Sequence, residues 1–536
     1  CSLLTVLRSI DGNATFGEGV FSSCENISKI AITFKQNLEA FYVSSFFKGT
    51  SDPEKYYEAS DKRGSTCYVP LALKEIEFTA TAKVPDYFLY GLTSVTKVVD
   101  KSTSSASIGN HSFDGCTALT DYSAENNVIS SVGEYAFHNC SSLKTLPAFN
   151  LTEIKNHAFD GCRSLEGSLD FSGATSIGDS AFENCASITE ITLSDSVNEL
   201  GSSAFKNCAS LVSVYGAPNL SIIKDYTFYG CGLLQHIPDL SNVISIESYA
   251  FYDCCSLLIT PDLTNIASVG DYAFVSCNHL SEVGPLNGCA AFGEGVFYGC
   301  ENLSKINLTF KREIEEFYLS SLFNKPVYIP NPEYYYVCSG KNGDAYIPKA
   351  LKEIEFDTTG KTPDYLLYGL TSVTKVVDKS TSSASIGNHS FDGCTALTDY
   401  SAENNVISSV GEYAFHNCSS LKTLPAFNLT EIKNHAFDGC RSLEGSLDFS
   451  GATSIGDSAF KDCVSLTGIT VSESLTEIGN RSFSGCVSLL QTPDLTNVIS
   501  IGDYAFDGCT MLSEIKGLTV SGSFGEFVFN ACENIS

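Results

Sequence analysis

Ile177-Gly178-Asp179-Ser180-Ala181-Phe182-Glu183-Asn184-Cys185-Ala186-Ser187-Ile188 is one copy of a pattern, I-G-x-x-A-F-x-x-C-x-S-L, that fills most of this chain. It returns as Ile501-Gly502 through Phe506, Cys509 and Leu512, and its phenylalanine marks a ladder at Phe113, Phe137, Phe159, Phe182, Phe205 and onward to Phe529. The period is about 23 residues, the range in which a unit is too small to bury its own apolar face and must stack on its neighbours. One elongated solenoid is therefore expected over residues 1–536, in place of several globular domains.

Within a turn, Ile188-Thr189-Glu190-Ile191-Thr192-Leu193 alternates apolar and polar residues, which suits a short strand with one face inward. Stacked turns align such strands into a parallel sheet. Val197 and Leu200 return the chain to the core before Gly201. Three residues before each phenylalanine stands Asn110, Glu134, Asn156, Asp179, Ser202, Asp225, Ser248 or Asp271, mostly types that cap a helix N-terminus. A short helical or 3₁₀ segment is expected to follow, with Phe and Cys at i and i+3 on its inward face.

Repetition occurs at a second level. Residues 89–182 and 367–460 are identical, which points to a recent duplication with large units at 1–276 and 277–508 and a third beginning at 509. Each complete unit carries an irregular inserted turn, 48–88 and 324–366, where proline, charge and tyrosine gather (Tyr56, Tyr57; Pro330, Pro332, Tyr334, Tyr335, Tyr336). Insertions in repeat proteins emerge as loops on one face, and tyrosine is enriched at recognition surfaces. These five tyrosines are candidate contacts, against the plainer reading that the loops only cover the solenoid side. Cys1 and Cys532 both fall inside a turn, so a fragment of a longer array is expected.

The A-F-x-x-C-x-S-L motif at this spacing resembles the BspA-like, or Treponema-type, leucine-rich repeats over nearly the whole chain. The chain departs from that pattern by often lacking the proline that ends the strand, as at Ser194, while keeping it at Pro147, Pro238 and Pro261. The resemblance implies an α/β solenoid, a right-handed leucine-rich-repeat superhelix with a parallel sheet on one face and short helical segments on the other. It further implies a secreted or surface-displayed protein that adheres to host matrix proteins or neighbouring cells. An alternative is a building block of an extracellular filament or layer, in which the partners are copies of the chain itself.

Composition narrows the partners. A net charge of -30 disfavours nucleic acid and anionic lipid. No apolar run is long enough to span a bilayer. Eighteen of the 22 cysteines occupy the ladder position. Adjacent rungs at about 4.8 Å leave their Cβ atoms too far apart for a disulfide, which prefers about 3.8 Å, so buried free thiols are expected. Cys67, Cys255, Cys289 and Cys338 lie off the ladder and their state stays open. His111 and His157, with His389 and His435, sit two turns apart, about 10 Å, too far to share a metal, and are read as exposed side chains. Gly17-Glu18-Gly19 lacks the third glycine of a phosphate loop. No catalytic motif, cofactor or metal site is expected. Several N-x-S/T sequons, among them Asn13, Asn26, Asn110, Asn139, Asn150, Asn302 and Asn307, carry meaning only in a eukaryotic secretory pathway.

Binding, if it occurs, should use the outward residues of the strands. Roughly 21 turns at 4.8 Å give a face on the order of 100 Å long. The candidates are Thr189, Glu190, Thr192, Val212, Ser213, Tyr215, Gln235, His236, Leu258 and Ile259, with Ser281 and Glu282 following. Val212, Tyr215, Leu258 and Ile259 supply the apolar part, and they serve equally as strand formers.

Overall fold

A parallel β-ladder runs through each repeat, because the apolar residues that alternate within a turn also line up from turn to turn. The computed structural model describes residues 1–47, 52–60, 64–104, 107–126, 129–147, 149–238, 240–324, 332–340, 343–381, 385–402, 407–518 and 522–535. They fall into two units, one of Cys1–Leu257 with Tyr272–Cys277, the other of Leu258–Asp271 with Asn278–Ser536.

In the first unit Val6–Asp11, Lys29–Thr33, Glu75–Thr79, Lys97–Asp100 and Asp121–Ala124 form one parallel sheet, and Gly167–Phe171, Ile188–Leu193 and Ser213–Tyr215 form another. In the second unit Glu282–Asn287, Lys305–Phe310, Glu353–Thr358, Lys375–Asp378 and Asp399–Ala402 make the corresponding sheet. Ile188, Ile191, Leu193, Val197 and Leu200 are all buried, as the alternation requires. Each such side chain contributes about 1.5–3 kcal/mol of burial.

A second ladder runs through the Ile-Gly motif. Two-residue strands such as Ser131–Val132, Glu153–Ile154 and Ser176–Ile177 pair in register, giving each turn a second sheet. Gly178 is required here by contact rather than by torsion. A Cβ at this position would lie 2.6 Å from the backbone nitrogen of Asn156 in the preceding turn.

The expected helical face is replaced by turns. Among the described residues 3₁₀ helix occurs only at Val43–Phe46 and Leu319–Phe323. In the Phe-Cys segment His157 and Gly161 have φ of 54° and 77°, and Ser180 and Asn184 repeat this at 51° and 61°. A left-handed residue every fourth position interrupts any helix. It also aims alternate N–H groups along the stack: those of His157, Phe159 and Gly161 donate to the carbonyls of Asp179, Ala181 and Glu183, each at 2.8 Å. The cap residues act across turns too. Asn156 Oδ1 accepts the N–H of Asp179 at 2.9 Å, and Asp179 Oδ1 accepts that of Ser202 at 2.8 Å.

The core is a stack of rings. Phe137, Phe159 and Phe182 follow at 5.2 Å centroid spacing, near parallel, and Phe460, Phe483 and Phe506 do the same in the second unit at 5.4 and 5.1 Å.

Candidate binding surfaces

The strand face gathers the candidate residues into rows. In the first unit Val212 N donates to Thr189 O and Gln235 N to Val212 O, both at 2.9 Å, so these three lie side by side. Glu190, Ser213 and His236 pair in the next row, and Thr192 pairs with Tyr215. Thr189, Tyr215, Gln235 and His236 are exposed; Glu190, Thr192 and Val212 are half-buried. Ser213 departs from the outward reading. Its short side chain lies between the larger Glu190 and His236 and is only 5% exposed. In the second unit Leu258 and Ile259 are 56% and 52% exposed, and Ile259 bridges to Glu282 while Ser281 Oγ donates to Leu258 O at 3.1 Å.

Sequence reasoning missed a charged network on the same kind of face. Lys29 Nζ meets Glu75 at 2.8 Å and Glu77 at 2.9 Å, and Lys101 meets Glu77 at 2.9 Å. Lys101 and Lys29 together hold the Glu77 carboxyl below its ordinary range. The second unit repeats the motif with Lys305 and Lys379 on Glu355 at 3.1 and 2.8 Å. The signal lay in the outward strand positions, where lysine on one strand stands beside glutamate on the next; only register reveals the pairing.

Residues 48–88 and 324–366 each contain an antiparallel strand pair, a hairpin of Tyr56–Ser60 against Thr66–Pro70 in one and of Tyr335–Gly340 against Gly343–Pro348 in the other. Pro330 lies outside the described residues. The hairpins turn most of their tyrosines inward. Tyr56 and Tyr335 are 7% and 3% exposed. Tyr57 and Tyr336 are half-buried and accept hydrogen bonds from Ser94 and Ser372, whose hydroxyls lie 3.4 and 3.3 Å away. Burial pushes the Tyr336 phenol up to about 12. Tyr334 alone of the five is exposed, at 43%.

His111, His157, His389 and His435 are half-buried and packed against other rings. Tyr87, His111, Tyr135 and His157 form a continuous stack at 4.8, 4.8 and 4.5 Å, within 7° of parallel. The second unit repeats it with Tyr365, His389, Tyr413 and His435. Asp114 spans His111 Nδ1 at 2.8 Å and His138 Nδ1 at 2.7 Å. The left-handed backbone two residues before each phenylalanine lays these rings flat on one another, a placement that periodicity does not disclose.

Among the described residues no two cysteines are joined in a disulfide, Cys67, Cys255, Cys289 and Cys338 included. Among the described residues no group of three or more His, Cys, Asp or Glu is placed to hold a metal ion, and no helix is long and apolar enough to cross a membrane.

The family described as the BspA type leucine rich repeat region matches in six copies, across residues 82–212, 145–258, 210–325, 346–444 and 430–536. No curated protein matches. Among solved structures, a leucine-rich repeat protein from Bacteroides ovatus is 19% identical, covering 87% of this chain and 99% of its own, with a TM-score of 0.39. A leucine rich repeat protein of T. pallidum is 22% identical, covering 48% of this chain and 91% of its own, at 0.24. A leucine rich cell surface protein from Faecalibacterium prausnitzii is 20% identical over 86% and 85%, at 0.21.

Proposed function

The chain belongs to the BspA-type leucine-rich repeat family, and from that premise we propose that it is a non-enzymatic binding protein, secreted or displayed at a cell surface, that adheres to other proteins. The observation that carries the reading is the strand face. Its side chains stand in rows on a backbone ladder, free of the duty of filling the core, so they can vary without cost to the fold. Thr189, Tyr215, Gln235 and His236 in one unit, and Leu258 and Ile259 in the other, are the proposed contact residues. Of the five insert tyrosines only Tyr334 keeps the exposure that a contact needs. With a net charge of -30 the partner is a neutral or cationic protein of a matrix or a neighbouring cell.

The test is saturable binding of the protein to cells or immobilised matrix proteins, compared with a variant carrying Tyr215→Ser, Leu258→Ser and Ile259→Ser. Weakening by about tenfold or more, near 1.4 kcal/mol, supports the face as the contact surface. Absence of saturable binding in the parent protein overturns adhesion.

A second reading, a building block of an extracellular filament, draws support from the identity of residues 89–182 and 367–460. Electron microscopy of native material separates the two: a regular fibre favours assembly, isolated particles favour adhesion.

A further inference from the structure

Among the described residues the strand ladder breaks in each unit at the same sequence. In the first unit Asp121–Ala124 ends one sheet and Gly167–Phe171 begins the next. The turn between them carries Pro147 at the position where Thr192 stands in a regular strand, and proline has no N–H to give a ladder. Among the described residues Gly167–Phe171 has no partner strand on its outer side, and a cleft of about 360 Å³ runs along that edge. Leu146, Pro147 and Phe149 form one wall, Leu169 and Phe171 the other, and Asp170 stands at the rim. The second unit has the same cleft, about 250 Å³, between Pro425 and Phe427 on one side and Leu447 and Phe449 on the other. These volumes lie at or just below the small end of the range for ligand sites.

The two clefts share one sequence and differ in conformation. In the first unit Phe149 N donates to Pro147 O at 2.7 Å, and the Phe149 ring meets Tyr122 edge-on at 5.9 Å. In the second, Phe427 bridges to Ile407, Asn428 N donates to Ile407 O at 2.8 Å, and the Phe427 ring lies 6.3 Å from both Phe437 and Phe449. Identity over 89–182 and 367–460 covers every residue these rings touch. The ring of this one sequence therefore takes two arrangements, one in each unit. Where it turns toward Tyr122, the place beside Phe171 opens and the cleft is larger.

We propose that this cleft receives an extended peptide segment of a partner protein, which adds as a strand to the edge of Gly167–Phe171 and seats one large apolar side chain beside Phe171. The second unit offers the same site at Gly445–Phe449 once Phe427 swings aside. An unpaired strand edge supplies main-chain hydrogen bonds in register, and the adjoining apolar pocket selects the side chain. Asp170 at the rim and the acidic surface favour a lysine or arginine flanking that side chain. The site rests on the reading that this protein binds proteins, and it names the chemistry of one contact.

The test pans the full chain against a library of random linear twelve-residue peptides, with counter-selection on a variant carrying Ser168→Trp and Ser446→Trp. Both serines are exposed and line the clefts, so the bulk closes the slots without touching the core. Selected peptides should bind two per chain, fall to one with Ser168→Trp alone, and weaken by about tenfold or more when N-methylated at alternate residues. Three outcomes overturn the site: no peptide distinguishes parent from doubly blocked chain, N-methylated peptides bind as well as their parents, or small apolar molecules compete while backbone changes have no effect. Retained binding of the blocked chain to cells or matrix, in any of these cases, leaves the adhesion reading standing.

Discussion

The thiol of Cys185 donates to the carbonyl oxygen of Phe159, 3.1 Å away in the preceding turn. The same oxygen accepts the backbone N–H of Cys162, also at 3.1 Å, so both of its lone pairs are used. The relationship repeats down both units, for example Cys208 to Phe182 at 3.2 Å and Cys486 to Phe460 at 3.0 Å. The ladder cysteine thus fills a slot and also bonds one turn to the next.

Replacing Cys185 by alanine removes buried volume and leaves one acceptor position empty, for a cost of about 1–3 kcal/mol. Cys185→Ser keeps a donor and should cost less than alanine. Urea unfolding monitored by circular dichroism ranks the two; equal losses would show that packing alone matters.

Thiol accessibility gives a second outcome. Cys1 is exposed and Cys255, Cys289 and Cys532 are half-buried, while the other ladder and hairpin cysteines are buried. Burial raises the thiols of Cys185, Cys208 and Cys254, and that of Cys231 to about 12, which suppresses the reactive thiolate. A chromogenic thiol reagent should react quickly with at most these four in the native protein, and with all 22 in denaturant without reductant. Fewer than 22 would reveal disulfides.

The hairpins carry a natural swap. Cys67 pairs across its hairpin with Ala59, whereas Cys338 pairs with Ala345, so each site holds one thiol and one methyl on opposite strands. Ala345→Cys alone overfills the pair and should cost about 1–3 kcal/mol. Adding Cys338→Ala to it should recover most of that loss, and a double-mutant cycle measures the coupling.

Tyr335 and Tyr336 should respond oppositely to loss of the hydroxyl. The buried Tyr335 oxygen has no hydrogen-bond partner among the described residues, so Tyr335→Phe is neutral or stabilising by about 1 kcal/mol. Tyr336→Phe strips an acceptor from Ser372 and should cost about 1 kcal/mol. Unfolding midpoints of the two variants check the sign.

Stability should also depend on pH near neutrality. The hydrogen bond that His138 donates to Asp114 raises the ring above 6.5 against the opposing effect of burial, with a further push from Asp160. Asp392 does the same for His416, with Asp438 helping and Lys461 opposing. Because the folded value is the higher one, folding favours the protonated ring. The stabilisation is complete below the unfolded value, about 6.5, and is lost as pH rises through the folded one. Urea midpoints should therefore fall between pH 6 and 8, and the His138→Gln, His416→Gln chain should flatten that slope. An unchanged slope would place its origin elsewhere.

The sequence disclosed what depends on one turn at a time. The alternation at Ile188–Leu193 located the strand, the Phe spacing located the core stack, and rung spacing predicted unpaired ladder thiols. The helix expected around Phe and Cys failed for a specific reason. Asn or Asp three residues before the phenylalanine has the chemistry of a helix cap, yet Asn156 spends it on Asp179 of the next turn. Among the candidate contacts, Tyr56 and Tyr335 read as surface residues by type, and only the hairpin fold turns them inward.

The period and the inward pattern of each turn were therefore determined by sequence alone, since burial of an alternating face is a local demand repeated along the chain. Tertiary structure decided the rest: the second sheet at the Ile-Gly motif, the Tyr-His stack, the paired charges on the strands and the gap beside Pro147. Each depends on which residue of one turn meets which of the next. That register is fixed by inter-turn hydrogen bonds and by close contacts such as Gly178 on Asn156, and no single turn contains the information.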